Sequence, residues 1–158
     1  MSTDPSDPPA VSTPGLARRL AAMLYDSFLL FAVGWSVTAL AVFVRAVTVG
    51  AGTIQASGHA AVSGPLLQVA LAAAIVLFFG WFWTRSGQTL GMQAWRLRVQ
   101  QASGEPVTWR QALLRLGCAC VSLLALGAGY WWALIDRDGC TWHDRCSGTR
   151  VVLLPKQR

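Results

Sequence analysis

The stretch LARRLAAMLYDSFLLFAVGWSVTALAVFV, residues 16–44, decides the fold of this chain. After Arg18 and Arg19 it is predominantly apolar, with Asp26 as its single carboxylate. An α-helix rises about 1.5 Å per residue, so this run is long enough to cross the ~30 Å hydrocarbon core of a bilayer. Asp26 would then lie about two turns inside the membrane boundary. A carboxylate at such depth is costly, which marks Asp26 as a functional candidate.

The composition of the chain is that of a membrane protein. Of its 158 residues, 54% are hydrophobic and only 13% are charged, whereas about a quarter are charged in ordinary soluble domains. The formal net charge is +6. The basic residues flank apolar runs and form no single stripe, which favours membrane topology over nucleic-acid binding. The sequence has no P-loop, dinucleotide-binding fingerprint or nucleophile elbow, and we expect no enzyme activity.

The two ends of the chain carry signals of their own. Residues 1–15 contain four of the seven prolines and little apolar surface, so we predict a disordered tail. The first apolar run is too long for the h-region of a signal peptide, and we expect it to remain as an uncleaved anchor. The membrane domain is predicted over 16–154, and residues 155–158 form a basic C-terminal end.

A second apolar run, PLLQVALAAAIVLFFGWFWT, covers residues 65–84. Pro65 suits the first turn of a helix, where its missing N–H removes no hydrogen bond. The aromatic residues near the end of the run are typical of a membrane interface. Residues 45–64 are glycine-rich and nearly uncharged and are predicted to form a flexible loop. The first two runs are therefore expected to be antiparallel spans.

The polar segments outside the runs predict short elements. Residues 88–95 are interpreted as a short helix on the membrane surface, in which Gly91 allows close packing on a span. Residues 96–100 alternate arginine or glutamine with leucine and valine, which is the period-two pattern of a strand. Residues 149–154 are also predicted to form a strand.

The third apolar run, residues 116–135, allows two interpretations. Thr108 and Gln111 form a capping-box pattern at the start of the helix that carries it. Its 20 residues would extend about 30 Å, enough to cross the membrane. Gly127 and Gly129 instead permit a re-entrant bend, which is tolerated where protein buries the bend.

The distribution of lysine and arginine favours the re-entrant interpretation of the third run. Cytoplasmic loops carry an excess of these residues. If the third run returns, twelve of the 13 basic residues lie on one side and only Arg45 on the other, and if it crosses, the division is seven to six. We therefore favour termini that are both cytoplasmic. This arrangement would also let strands 96–100 and 149–154 pair in a small sheet.

Three motifs of the sequence resemble one known family. They are Arg-Arg-Leu-Ala-Ala at 18–22 with Asp26, Gly-Gln-Thr-Leu-Gly-Met at 87–92 before Arg-Leu-Arg-Val at 96–99, and Trp-His-Asp-Arg-x-Ser-Gly-Thr-Arg-Val-Val at 142–152. In this order they resemble the RDD family of small bacterial membrane proteins. The resemblance covers roughly residues 16–154.

The resemblance implies a multi-spanning protein of the inner membrane. It maps the arginine and the two aspartates for which the family is named to Arg19, Asp26 and Asp144, with Arg18 as an alternative carrier of the arginine role. Transport of unidentified ligands has been suggested for the family, and some members look like cation/proton antiporters. The resemblance implies no more specific activity.

The three family charges support two interpretations. Arg19 and Asp26 share a helix face but lie about 10.5 Å apart along the axis, too far for a direct pair. Ala22 lies between them and leaves room for another segment to approach. In a structural latch, Arg19 would hold the C-terminal segment through Asp144, and Asp26 would bond a neighbouring helix. In a functional site, Asp26 would bind a proton or a cation. The two interpretations do not exclude each other.

Several further polar residues are secondary candidates. Asp136, Asp138 and His143 lie close together and carry side chains that suit divalent ions. Arginines are interleaved with them, however, which favours a salt-bridged surface loop over a metal site. Arg115, one turn into the third helix, is expected to reach lipid phosphates by snorkelling, with a polar cavity as the alternative.

The four cysteines are not expected to bind metal. Cys140 and Cys146 lack a fourth ligand and the tight spacing typical of zinc sites. In a cytoplasmic loop they are expected to be free thiols. Cys118 and Cys120 lie in the third apolar run and are expected to pack as small hydrophobes.

The sequence thus predicts an all-α membrane protein with two to three transmembrane helices and a small cytoplasmic β element. For its function we consider proton-coupled transport of an ion or small solute. The alternative is an accessory or assembly protein in which Arg19, Asp26 and Asp144 form a latch. Two spans and a broken third are too few to enclose a conduit, so transport would require a homo-oligomer or a larger membrane partner. Membrane lipid is an expected partner, whereas no cofactor, metal or nucleic acid is expected.

Overall fold

The computed structural model describes residues 12–50, 52 and 64–155. Most of the predicted tail (1–11), most of the predicted loop (51 and 53–63) and the basic end (156–158) lie outside these described residues. The predictions of disorder and flexibility made for them therefore stay predictions.

Two long helices form the membrane-embedded part of the fold. Helix α1 covers Leu16–Val49 (34 residues) and helix α2 covers Pro65–Arg85 (21 residues). Both are long and apolar enough to span a bilayer, which confirms the first two predicted spans. Helix α1 is longer than the apolar pattern indicated: residues 45–49, which the sequence placed in the loop, are helical.

A short helix and a two-stranded sheet cover one end of these spans. Helix α3 covers Leu90–Ala94, and Thr89 is its N-cap, because the Thr89 hydroxyl accepts a hydrogen bond from the amide of Met92. Strand β1 (Leu97–Gln101) pairs antiparallel with β2 (Thr149–Leu153), so that Leu97 lies opposite Leu153. The predicted pairing of the two strands is therefore confirmed.

The third apolar run is broken. Helix α4 covers Trp109–Leu124 and begins with the predicted capping box of Thr108 and Gln111. It is followed by α5 (Ala128–Trp131) and a 3-10 turn (Trp132–Leu134), and the chain bends by 106° between the two parts.

The bend lies at Gly127, whose φ of 77° is a left-handed conformation that glycine adopts without steric cost. Helix α6 (Trp142–Ser147) then leads into β2. Since β1 precedes α4 and β2 follows α6, the sheet brings both ends of the third run together. This is the arrangement that the re-entrant interpretation predicted.

A small apolar core lies where the sheet meets the spans. Its buried members come from the first two helices, helix α3, both strands, the first turn of α4 and the segment just before it: Ala22, Trp83, Met92, Leu97, Val99, Val107, Ala112 and Val151. Elsewhere along the spans large apolar side chains are exposed, such as Phe31 and Leu66. Such exposure suits a surface that lies in lipid.

The segment just before α1 is packed against the C-terminal part of the chain. The amide of Leu153 donates a hydrogen bond to the backbone oxygen of Ser12 at 3.0 Å. Pro14 is buried, and its oxygen accepts a bond from Nε of Arg19 at 3.4 Å. Ser12 and Pro14, which belong to the tail predicted over residues 1–15, thus bond to β2 and α1.

Candidate functional site

The carboxyl group of Asp144 is the centre of a buried charge cluster. Asp144 is fully buried. Nη1 of Arg19 donates to its Oδ2 at 2.8 Å, and Nη1 of Arg115 donates to its Oδ1 at 2.5 Å. One carboxylate thus joins α6 to both α1 and α4.

Local sequence fixes the position of this carboxylate. Thr141 is the N-cap of α6, and Asp144 is the third residue of the helix, so the two form a capping box. The amide of Thr141 donates to Oδ2 of Asp144 at 3.0 Å, and the amide of Asp144 donates to the hydroxyl of Thr141 at 3.3 Å. Asp144 therefore caps its own helix with the same oxygen that receives Arg19.

Arg19 is held by all of its side-chain nitrogens. Besides the bond to Asp144, Nη2 donates to the backbone oxygen of Gly139 at 3.0 Å and Nε donates to that of Pro14. The predicted contact between Arg19 and Asp144 is thus present. Arg18 is half-buried and makes no ion pair within the described residues, whereas Arg19 makes the contact with Asp144.

Arg115 belongs to the cluster, which the sequence did not predict. The expected extension of this side chain out to the membrane surface is wrong, because it is buried, with 4% of its surface exposed, and bonded to Asp144. It also borders a cavity, which was the alternative. Its Nη1 also donates to Oγ1 of Thr149 at 2.7 Å. The guanidinium carbon lies 5.4 Å from the ring centre of Trp83, within the range of a cation–π contact.

A chain of hydroxyl groups continues from Arg115 to α6. Oγ1 of Thr149 lies 2.7 Å from Oγ of Ser147, which donates its own proton to the backbone oxygen of His143 at 2.6 Å. Because a hydroxyl has one proton to donate, Thr149 must be the donor to Ser147. The cluster thus ties β2 to α4 and α6.

The cluster determines the protonation of its titratable members. Burial would raise the pKa of Asp144, but the guanidinium groups of Arg115 and Arg19 hold it well below its ordinary value. Burial lowers the pKa of His143 to about 3, and the positive charge of Arg115 acts in the same direction. At neutral pH Asp144 is therefore an anion and His143 is uncharged.

Asp26 occupies a second buried site on α1. It is 6% exposed. The Thr89 hydroxyl donates to its Oδ2 at 2.5 Å, and the amide of Gly91 donates to its Oδ1 at 2.9 Å. Asp26 thus binds the first turn of α3, the kind of neighbouring-helix contact that the latch interpretation predicted.

The sequence contained the signal for this contact without identifying the partners. A Cβ atom at Gly91 would clash with the backbone oxygen of Ala22 and would lie 2.8 Å from Oδ1 of Asp26. The predicted close packing of Gly91 on a span is therefore confirmed, and Ala22 is where that packing takes place. Sequence reasoning did not identify Thr89 as the partner of Asp26, because the two residues are 63 positions apart in the chain.

A cavity of about 390 Å³ lies beside both sites. Its walls come mainly from apolar residues of α1, α2 and α4, and Arg19, Asp26, Arg115 and His143 also border it. Arg19 and Asp26 make no direct bond with each other among the described contacts, as their spacing on α1 predicted. They are neighbours through this shared cavity.

The acidic loop before α6 forms ion pairs with Arg145 of that helix. Nη2 of Arg145 lies 2.5 Å from Oδ1 of Asp136 and 3.2 Å from Oδ2 of Asp138. This agrees with the predicted salt-bridged loop. The described residues contain no cluster of histidine, cysteine and carboxylate side chains arranged to hold a metal ion.

The cysteines depart from expectation. Cys118 on α4 and Cys146 on α6 form a disulfide, whereas Cys120 and Cys140 are free. The prediction of a free thiol is therefore wrong for Cys146, and Cys118 is more than a packing residue. The pairing depends on the approach of α4 to α6, which sequence spacing does not reveal.

The fold and the buried charges define a small, mostly helical integral membrane protein with its charge cluster at one end of the spans. The chain belongs to the RDD family, whose sequence pattern it matches over residues 13–148. This confirms the resemblance found in the three motifs. No curated protein and no solved structure gives a significant match to the chain.

Proposed function

We propose that the protein is an accessory membrane protein that assembles with or stabilises a partner. In this proposal Arg19, Asp26 and Asp144 form a latch that stabilises the fold of the chain itself. The observation that supports this proposal most is that all three family charges are occupied by partners within the chain. Arg19 uses every side-chain nitrogen, and each oxygen of Asp144 accepts at least one charged donor. Charges engaged in this way favour an architectural role over substrate binding.

The shape of the fold also favours a protein that acts with others. Helices α1 and α2 are the only described helices that are singly long enough to span, and α4 with α5 forms a bent pair. So few spans do not surround a polar path. Exposed apolar side chains along α1, such as Phe28 and Trp35, offer a surface for another membrane helix.

The experiment is purification of the full chain from crosslinked membranes, followed by identification of bound proteins and a flux assay in liposomes. The proposal predicts one dominant membrane partner at constant ratio and no ion flux from the protein alone. Phe31→Ala, on the exposed face of α1, is the matched variant to test whether this face binds the partner. Ion flux by the purified chain, or capture of no partner at all, would contradict the proposal.

Proton-coupled transport of an ion or small solute is the second candidate. It is favoured by the position of Asp26, which borders the cavity and accepts two hydrogen bonds, whereas a carboxylate has about four acceptor positions. Under this candidate, Asp26→Asn accumulates in membranes at the wild-type level but loses flux in liposomes. Equal flux by both proteins would exclude Asp26 as the coupling residue.

We further propose that the protein lies in the inner membrane with both ends in the cytoplasm. The twelve-to-one division of basic residues supports this orientation. The disulfide between Cys118 and Cys146 favours the opposite one, because disulfides are rare in the cytosol. A cysteine at position 158, in a chain otherwise free of cysteine, distinguishes the two orientations. We expect an impermeant thiol reagent to leave it unlabelled in intact cells. Labelling in intact cells would show that the C-terminal end lies outside the cytoplasm and would contradict this orientation.

A further inference from the structure

The cavity is a groove between α1 and α4 with α2 behind it. We use the name lateral groove for the space bordered by Met23 and Leu30 of α1, Phe79 and Trp83 of α2, and Leu116 and Leu123 of α4. Its volume of about 390 Å³ lies within the usual range of small-molecule sites, roughly 300–1,000 Å³. Apolar walls of this kind suit a hydrocarbon chain.

Three residues that border the lateral groove have polar atoms without a hydrogen-bond partner among the described residues. Arg115 uses only Nη1 in its bonds, so Nε and Nη2 have no hydrogen-bond acceptor within the described residues. Nε1 of Trp83 and Nδ1 of His143 are buried without a partner in the same part of the structure. Trp83 is 8% exposed and His143 is 5% exposed, and all three residues border the groove.

The unpartnered nitrogens of Arg115 and Trp83 are suited to an acceptor group. The guanidinium and indole nitrogens can only donate, so an oxygen-rich head would satisfy them. In the cluster, two guanidinium groups face the single carboxylate of Asp144, which leaves one positive charge. Asp26 also borders the groove, and its two oxygens accept hydrogen bonds from the hydroxyl of Thr89 and the amide of Gly91. A phosphate is an oxygen-rich anion that a guanidinium binds through strong, charge-assisted hydrogen bonds.

The length of the lateral groove matches one leaflet of a membrane. From Arg19 to Leu30 helix α1 rises about 16 Å at 1.5 Å per residue. Half of the hydrocarbon core is about 15 Å. A head bound beside Arg115 would therefore lie near the membrane boundary, with a chain that ends near the midplane.

We propose that the lateral groove binds one anionic membrane phospholipid, with its phosphate on Arg115 and Trp83 and one acyl chain between α1 and α4. This site is independent of the proposed accessory role, because it uses nitrogens that the latch leaves free. It differs from general lipid solvation, because the head is recognised by buried donors.

The test is binding of phosphatidylglycerol to the purified full chain in detergent, measured by native mass spectrometry. Two probes separate the parts of the ligand: diacylglycerol with the same chains, and glycerol 3-phosphate. We expect phosphatidylglycerol to bind at one per chain and at least about tenfold more tightly than either probe. Equal binding of diacylglycerol would mean that the phosphate is not recognised, and equal binding of glycerol phosphate would mean a water-soluble ligand. Either result would overturn the proposal.

Variants that leave Arg19, Arg115 and Asp144 unchanged locate the proposed phospholipid site. Ala119 borders the groove, whereas Val121 is exposed on another face of α4. Ala119→Phe should weaken phosphatidylglycerol binding by about tenfold or more, and Val121→Phe should leave it unchanged. Trp83→Phe should reduce the preference over diacylglycerol, because it removes one donor and keeps an aromatic ring. Wild-type affinity in Ala119→Phe with an unchanged melting temperature would also overturn the proposal.

Discussion

Oδ1 of Asp144 lies 2.5 Å from Nη1 of Arg115, although 29 residues and a re-entrant bend separate them in the chain. The opposite oxygen of the same carboxylate receives Arg19 from the first span. A single acidic side chain therefore fixes the start of α1, the re-entrant helix and the C-terminal segment relative to one another. This three-way contact gives a structural role to an aspartate in a short helix that is far from both spans along the chain.

Asp144→Asn should destabilise the protein strongly. It leaves two buried guanidinium groups without a counter-charge, a change that costs about 3–5 kcal/mol in buried pairs. Asp138→Asn is the matched control, because Asp138 is 74% exposed and pairs with Arg145 at the surface, where such pairs contribute about 0–1 kcal/mol. Melting of both variants in detergent measures the difference. Equal melting temperatures would show that the cluster does not stabilise the fold.

Gly91→Ala should separate α3 from the first span. The added Cβ would meet the backbone oxygen of Ala22 and the carboxyl group of Asp26, neither of which can move far. We expect a loss of about 1–3 kcal/mol, as for other overpacked sites, and a lower yield in membranes. Gly117→Ala on α4 meets nothing within 4 Å and should be neutral or slightly stabilising. If Gly91→Ala melts like Gly117→Ala, the close packing is not a constraint.

His143 should make the protein sensitive to mild acid. Its pKa is about 3 in the folded protein and about 6.5 in an unfolded chain. Between these values the unfolded chain binds more protons, so the free energy of unfolding falls as the pH drops below about 6.5. His143→Gln, which cannot titrate, should lose less stability between pH 7.5 and 5. Melting temperatures measured across that range test this, with His59 present in both proteins, and parallel curves would exclude His143 as the cause.

Asp144 should affect the pH dependence of the free energy of unfolding only in stronger acid. Its pKa is lowered in the folded protein, so its stabilisation is complete above the unfolded value of about 3.9 and is lost as the pH falls below it. The acid response near pH 6 is therefore assigned to His143 alone among the described cluster residues.

The sequence predicted the elements well, because hydrophobic periodicity and capping residues are local signals. Helix α1, the capping box at Thr108 and the pairing of β1 with β2 were all foreseen. The contact of Arg19 with Asp144 was also expected, because both residues lie in motifs of one family.

The remainder of the site depends on tertiary structure. A single arginine one turn into an apolar helix resembles a snorkelling residue, and only the approach of α6 makes Arg115 a partner of Asp144. The Thr89 hydroxyl reaches Asp26 because Gly91 lets α3 pack on Ala22. The disulfide of Cys118 and Cys146 arises from the same approach of α4 and α6. None of these contacts has a signature in residue spacing.

The most direct test of the latch is a double-mutant cycle of Arg19→Gln and Asp144→Asn, with unfolding measured in detergent. If the two side chains act as one unit across the interface, the double variant should lose less than the sum of the single losses. We expect a coupling energy of about 1–3 kcal/mol, as for residues in one ion-pair network. Losses that add to within about 0.5 kcal/mol would contradict the claim that Arg19 holds the C-terminal segment through Asp144.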